Sequence, residues 1–203
     1  MSTENQSRQI AKRAFARELE LSQHTYKEGD SQYSPLFTLL PSGEKASRVF
    51  VCGALTELES RANDSGGWTA KVSDGSGAPF LVWASGQYDK EGSANLKYIK
   101  DNYDIPQFVA VTGKLRVWEP EDSDDKVTFI KPESVNVISE DARDKWVTET
   151  AEMTLNRLED EEAFNELLEV VDLEDEVVDE WLGTPDRVED LREAVTSSLE
   201  VVA

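Results

Sequence analysis

An all-β core flanked by α-helical segments is the fold class this 203-residue sequence predicts, with a small five-stranded barrel at its centre. Three observations predict it. Period-two apolar alternation recurs over 48–56, 68–74, 80–84, 108–118 and 127–131. A glycine-bearing tip, Gly75-Ser76-Gly77, joins the second and third of these runs. A single short helical pattern, Ala94 to Asn102, interrupts the series between the third and fourth. Strand, hairpin, short helix, strand, acidic loop and strand is the element order of the OB barrel. The expected division is an N-terminal helix and extended arm over 1–47, the OB-fold domain over 48–138, and an acidic helical C-terminal region over 139–203.

The elements follow in order. Over 8–21, Ile10, Ala14, Phe15 and Leu19 recur at helical spacing, which predicts a short amphipathic helix. Residues 24–43 carry Gly29, Pro35, Pro41 and Gly43 around one apolar stretch, too interrupted for a helix, and predict an extended arm. Val49, Val51, Gly53 and Leu55 alternate with Phe50, Cys52 and Ala54, two largely apolar sets that suit a strand buried on both sides. Gly53 and Gly113 fall mid-strand, as the sharp curl of a small barrel requires. Beyond Ser139 the pattern is helical: 140–158, 161–172, 174–182, and a last helix with Thr184 as cap and Pro185 in its first turn, ending near Leu199.

Composition bounds the function. The longest apolar run is a few residues, far short of the roughly 20 that a membrane span needs, and the N-terminus shows no secretory signal, so a soluble, cytoplasmic protein without a membrane partner is expected. One cysteine, Cys52, and one histidine, His24, leave no Cys/His zinc pattern, so no metal and no cofactor are expected. Cys52, between apolar neighbours, reads as a small core residue. Paired acids such as Asp124-Asp125 and Glu161-Glu162 have no discriminating power in a chain with 42 carboxylates, and no catalytic residue is expected. The formal net charge is −21, but residues 1–138 hold 16 basic and 20 acidic side chains while 139–203 hold 5 and 22. A pI near 4.3 with little lysine matches proteins of multimolar-salt cytoplasms, where repulsion is screened within about 3 Å. A halophilic source is therefore expected.

Strand alternation also sorts side chains by face. With Val109, Val111, Leu115 and Val117 inside, Lys114, Arg116 and Trp118 face outward together. Thr128 and Ile130 inside leave Phe129 and Lys131 outside; Trp68 and Val72 inside leave Lys71 outside; Val82 inside leaves Trp83 outside. Cations alternating with ring faces suit single-stranded nucleic acid, since bases stack on rings and cations track phosphates. On the helix over 140–158, Val147, Ala151, Thr154 and Leu158 form a narrow stripe with Trp146 and Met153 adjoining, a surface expected to meet a partner, the rival being that the helices of 161–199 fold back and cover it in cis.

The runs DGSGAPFLVW, IPQFVAVTGKLRVW and KVTFIKPESVNVI, followed by a helix, resemble the OB domain and trailing helix of the middle subunit of replication protein A. IAKRAFA, PLFTLLPSG, RVFVCGALTE and RDKWVTETAEMTLNRL more closely resemble haloarchaeal replication protein A-associated proteins, over roughly 8–160. The resemblance implies a stacking aromatic after a Leu-Arg-x run, here Leu115-Arg116-Val117-Trp118, and places a second about two residues beyond Trp83. It further implies a subunit or partner of a replication protein A-type single-stranded DNA-binding complex acting in replication and repair. The alternative is an accessory assembly protein that binds only the replication protein A subunit and does not contact DNA.

Overall fold

A computed structural model describes residues 9–29, 34–61, 66–120, 126–160 and 186–203. The elements are α1 (Ala16–Glu20), β1 (Thr25–Lys27), β2 (Leu36–Leu40), β3 (Glu44–Ala46), β4 (Arg48–Ser60), β5 (Trp68–Ser73), β6 (Phe80–Ala84), α2 (Lys90–Asn102), β7 (Gln107–Trp118), β8 (Val127–Val137), α3 (Glu140–Glu159) and α4 (Asp186–Glu200). Strands β4 to β8 close into a barrel in the order β4-β5-β6-β8-β7, antiparallel except where β6 meets β8. This is the five-stranded OB topology, with α2 between the third and fourth barrel strands.

The inward set follows the alternation. Val51, Leu55, Val72, Val82, Val109, Val111, Leu115 and Ile130 are buried and form the centre of the core. Trp68, Val117 and Thr128 are only half-buried, and Thr128 Oγ1 donates instead to the Ser22 carbonyl at 2.8 Å. The mid-strand glycines are steric necessities of the tight curl. A Cβ on Gly113 would stand 2.3 Å from the Lys131 carbonyl oxygen, and one on Gly53 2.4 Å from that of Ser73.

Two N-terminal expectations are corrected. The helix expected over 8–21 is confined to Ala16–Glu20. Before it the chain runs extended along the barrel, with Lys12 N–H donating to the Arg48 carbonyl and Phe50 N–H to that of Lys12. Backbone pairing with β4 outcompetes helix formation there, since a single amphipathic turn has little stability of its own. The helix starts where the hairpin tip supplies acceptors: Asp74 takes the Ala16 N–H at 2.6 Å and Ser76 Oγ that of Arg17 at 3.1 Å. The arm expected over 24–43 likewise holds β1 and β2, which with β3 form a three-stranded antiparallel sheet, and Pro41 to Gly43 make the turn into β3, with Gly43 N–H donating to the Leu40 carbonyl at 3.0 Å.

Helix α3, capped by Ser139, lies against β4 and β7. Trp146 donates Nε1–H to the Phe50 carbonyl at 3.2 Å and meets the Phe15 ring edge-on at 5.6 Å. Helix α4, close to where the capping signals put it, packs on α3 with Leu191, Ala194 and Val195 buried. The helices expected over 161–172 and 174–182 lie outside the described residues.

Candidate functional site

The outer face of the barrel carries a ring cluster drawn from three strands. Trp83 of β6 lies 4.4 Å from Phe129 of β8, centroid to centroid and tilted by 30°, and 5.8 Å from Trp118 of β7, edge-on at 62°. The pairing registers bring them together: Arg116 stands opposite Phe129, and Trp118 opposite Val127. Leu81 lies alongside Phe129 in the parallel pair, so Trp83, two residues on, shares the outer surface. Trp83 and Phe129 are half-buried against each other, while Trp118 is 48% exposed. An indole of that exposure on a rigid strand end offers a face to a planar ligand at low entropic cost.

The cations around the rings differ in how far the protein already satisfies them. Lys71 pairs with Glu57 at 2.9 Å, and Lys131 reaches Asp89 at 3.5 Å. Arg116 is half-buried and donates to the carbonyl of its neighbour Leu115 at 2.6 Å. Burial lowers its pKa, partly offset by the field of Asp89 and Glu133. Lys114 is exposed one register row further along β7, opposite Lys131. All seven residues predicted for this face thus lie on the outer surface of β5 to β8, with Trp83, Trp118, Phe129 and Arg116 as a contiguous group.

One member of the group was missed by sequence reasoning. Arg61, just past the end of β4, sets its guanidinium 5.7 Å from the Trp83 ring centroid. Its only sequence signal is its place at the mouth of the loop joining the first two barrel strands. The cation orders the ring and adds charge beside it.

The stripe expected to meet a partner is placed differently. Trp146 (2% exposed), Val147, Ala151 and Thr154 are buried within the chain, beneath the barrel edge, α1 and α4. Met153 is 46% exposed and Leu158 is half-buried. Below the stripe, Arg157 pairs with Glu18 at 3.0 Å, and Ser42 bonds to both. Burial raises the Glu18 pKa, against the opposing pull of Arg157 and Ser42.

Cys52 is buried and its thiol is pushed up to about 12 by desolvation, so it is no nucleophile at neutral pH. Among the described residues no group of three or more His, Cys, Asp or Glu side chains is arranged to hold a metal ion, and no helix is long and apolar enough to cross a membrane.

No family model and no curated protein matches the chain. Among solved structures it is similar to the Stn1-Ten1 complex of S. pombe, at 13% identity and a TM-score of 0.56, over 74% of this chain and 96% of that one. It is also similar to a Replication Protein A heterotrimer bound to ssDNA, at 11% identity and a TM-score of 0.49, over 73% and 98%. A small single-stranded DNA-binding protein from Mycoplasma pneumoniae shows 18% identity and a TM-score of 0.34, over 46% and 93%. At these identities the first likeness speaks to the fold.

Proposed function

We propose that this chain binds single-stranded DNA on the outer face of its barrel, as a subunit or partner of a replication protein A-type complex acting in replication and repair. The observation that carries the reading is the Trp83, Phe129 and Trp118 cluster, built from three strands and left open at Trp118. A base stacked on such a platform contributes about 1–3 kcal/mol. Stacking persists in concentrated salt, whereas phosphate contacts weaken as counterions compete. That division of labour suits a chain of net charge −21 working in the salt-rich cytoplasm its composition implies. Arg61, Arg116, Lys114, Lys71 and Lys131 surround the rings and supply what positive charge the face has. Its chemistry is recognition, not turnover. A replication protein A-type subunit would meet α3 through Met153 and the open edge of Leu158, the members of the expected stripe that keep free surface.

Titration with oligo-dT in molar KCl, read by quenching of tryptophan fluorescence, tests the reading. The wild type is expected to quench and Trp118→Ala to bind more weakly. Absence of quenching by the purified chain and by the chain with its co-purified partner would sink the DNA-contacting reading and leave a purely protein-binding accessory role.

A further inference from the structure

Three cations cross the outer face of the barrel in one register row. Arg48 of β4 stands opposite Lys114 of β7, which stands opposite Lys131 of β8. Like charges directly opposed in a sheet are unfavourable, so the row needs compensation. Its two ends have some: Glu133 accepts from Arg48 Nε at 2.9 Å, and Asp89 lies 3.5 Å from Lys131. The middle has no direct pair, only the longer-range field of Asp89 and Glu133 on Arg116. Neither Lys114 nor Arg116, the next outward residue on β7, has a carboxylate within ion-pair distance among the described residues. Two cations side by side without a directly paired carboxylate stand out in a chain with twice as many acids as bases.

These side chains line a cleft of 620 Å³ between the outer face of β7 and β8 and the first turn of α2. Gly92 lets the helix approach so closely that a Cβ there would lie 2.5 Å from the Pro132 carbonyl oxygen, which fixes the cleft wall. Tyr88, 75% exposed, stands at the mouth. The cleft is continuous with the ring cluster, because Arg116 is the register partner of Phe129.

We propose that this cleft takes the sugar-phosphate backbone of nucleotides leading away from the ring cluster, with Lys114 and Arg116 holding phosphates and Tyr88 offering a further ring at the mouth. The inference rests on the DNA-binding reading and gives the strand a course: along β7 from Trp118 towards Lys114, about 13 Å at some 3.3 Å per residue. The rival course across β5 meets Lys71, whose charge Glu57 already occupies at 2.9 Å. A polyanion fits better than an isolated anion, since the two cations without an ion-pair partner among the described residues lie on one strand and point the same way.

The salt dependence of oligo-dT binding tests this in the full chain. Single-strand binding loses a slope of about 0.7 in log K against log [salt] for each phosphate contact removed. Lys114→Gln with Arg116→Gln is expected to reduce the slope by about 1.4 and to abolish the affinity gained when the oligonucleotide is lengthened. Lys114→Gln alone, at an exposed position that folding tolerates, is expected to remove half that slope. Lys97→Gln, at a surface lysine paired with Asp101 on the far turns of α2, serves as the control and leaves the slope unchanged. If the wild type binds and the Lys114 variants keep its slope and length dependence, the cleft assignment is overturned while the ring cluster stands. If the wild type binds no oligonucleotide, the DNA-binding reading fails and this inference with it. Poly-glutamate that competes for the wild type and not for the Lys114 variants would assign the cleft to an acidic peptide and overturn the proposal.

Discussion

The seam between α1 and α3 and the outer face of β6 to β8 are made of the same kinds of residue and end in opposite states. In the seam, Trp146 has a ring edge-on, a carbonyl for its N–H and 2% exposure, and Arg157 has Glu18 at 3.0 Å. On the face, Trp118 keeps nearly half its surface in water, and among the described residues Arg116 has no ion pair and donates to the carbonyl of its own neighbour Leu115. Aromatics and cations spaced along an amphipathic element are thus not in themselves a binding surface. What distinguishes the two regions is whether the rest of the chain has already supplied the ring's neighbour and the cation's counter-charge.

Removing the seam's ring is the largest expected effect. Trp146→Ala leaves a cavity under α3 and is expected to destabilise by about 3–5 kcal/mol in urea unfolding. A loss under about 1 kcal/mol would mean that α3 is only loosely seated and that its stripe is open to partners after all.

Next comes the buried pair. Arg157→Leu strands Glu18, which is 0% exposed, and is expected to cost about 3 kcal/mol near neutral pH, the low end for breaking a buried pair because Arg157 itself keeps some solvent contact. The folded Glu18 carboxyl already sits above its ordinary 4.5, and loss of Arg157 raises it further. A raised carboxyl holds its proton longer when folded, so stability falls as pH climbs from about 4.5 towards the folded value. The penalty of the variant should therefore shrink on acidification through that range, as paired unfolding curves would show. A pH-independent penalty would mean that packing of the Arg157 stem, not charge, holds the site.

On the open face the signs reverse. Trp118→Ala should change unfolding by no more than about 0.5 kcal/mol, the usual range for an exposed site. It should weaken oligo-dT binding by about 1–3 kcal/mol in molar salt. A variant that binds as well as the parent would remove the stacking role. Smallest is Lys131→Ala, expected to cost binding under about 1 kcal/mol because Asp89 and salt both screen the lysine. An effect as large as that of Trp118→Ala would put phosphate contacts above stacking on this face.

Legibility in the sequence followed the range of the interactions. Val111, Leu115 and Ile130 could be placed inside because a strand's two-residue period is intrinsic to its backbone, and so their neighbours Lys114, Arg116 and Phe129 could be placed outside. Gly53 and Gly113 were legible for the same reason, as residues whose missing Cβ only a tight curl explains. Arg61 was not, because its approach to Trp83 depends on where β4 ends relative to β6, two strands away in the barrel.

The sequence by itself determined the barrel's element order, the centre of its inward face and the outward set of rings and cations, since all three depend on periodicity and on residues that break it, while Trp68, Val117 and Thr128 ended only half-buried. Only the tertiary structure decided which amphipathic surfaces are spent. Residues 9–15 gave up helix for an extended course bridged to β4 at Lys12, β1 and β2 of the arm joined β3 in a sheet, and the α3 stripe was covered by the barrel edge, α1 and α4. The physical reason is that an apolar stripe records the need for cover but not its source. Which segment supplies that cover is decided by contacts far apart in sequence, such as Trp146 on Phe50 and Glu18 on Arg157, to which local spacing is blind.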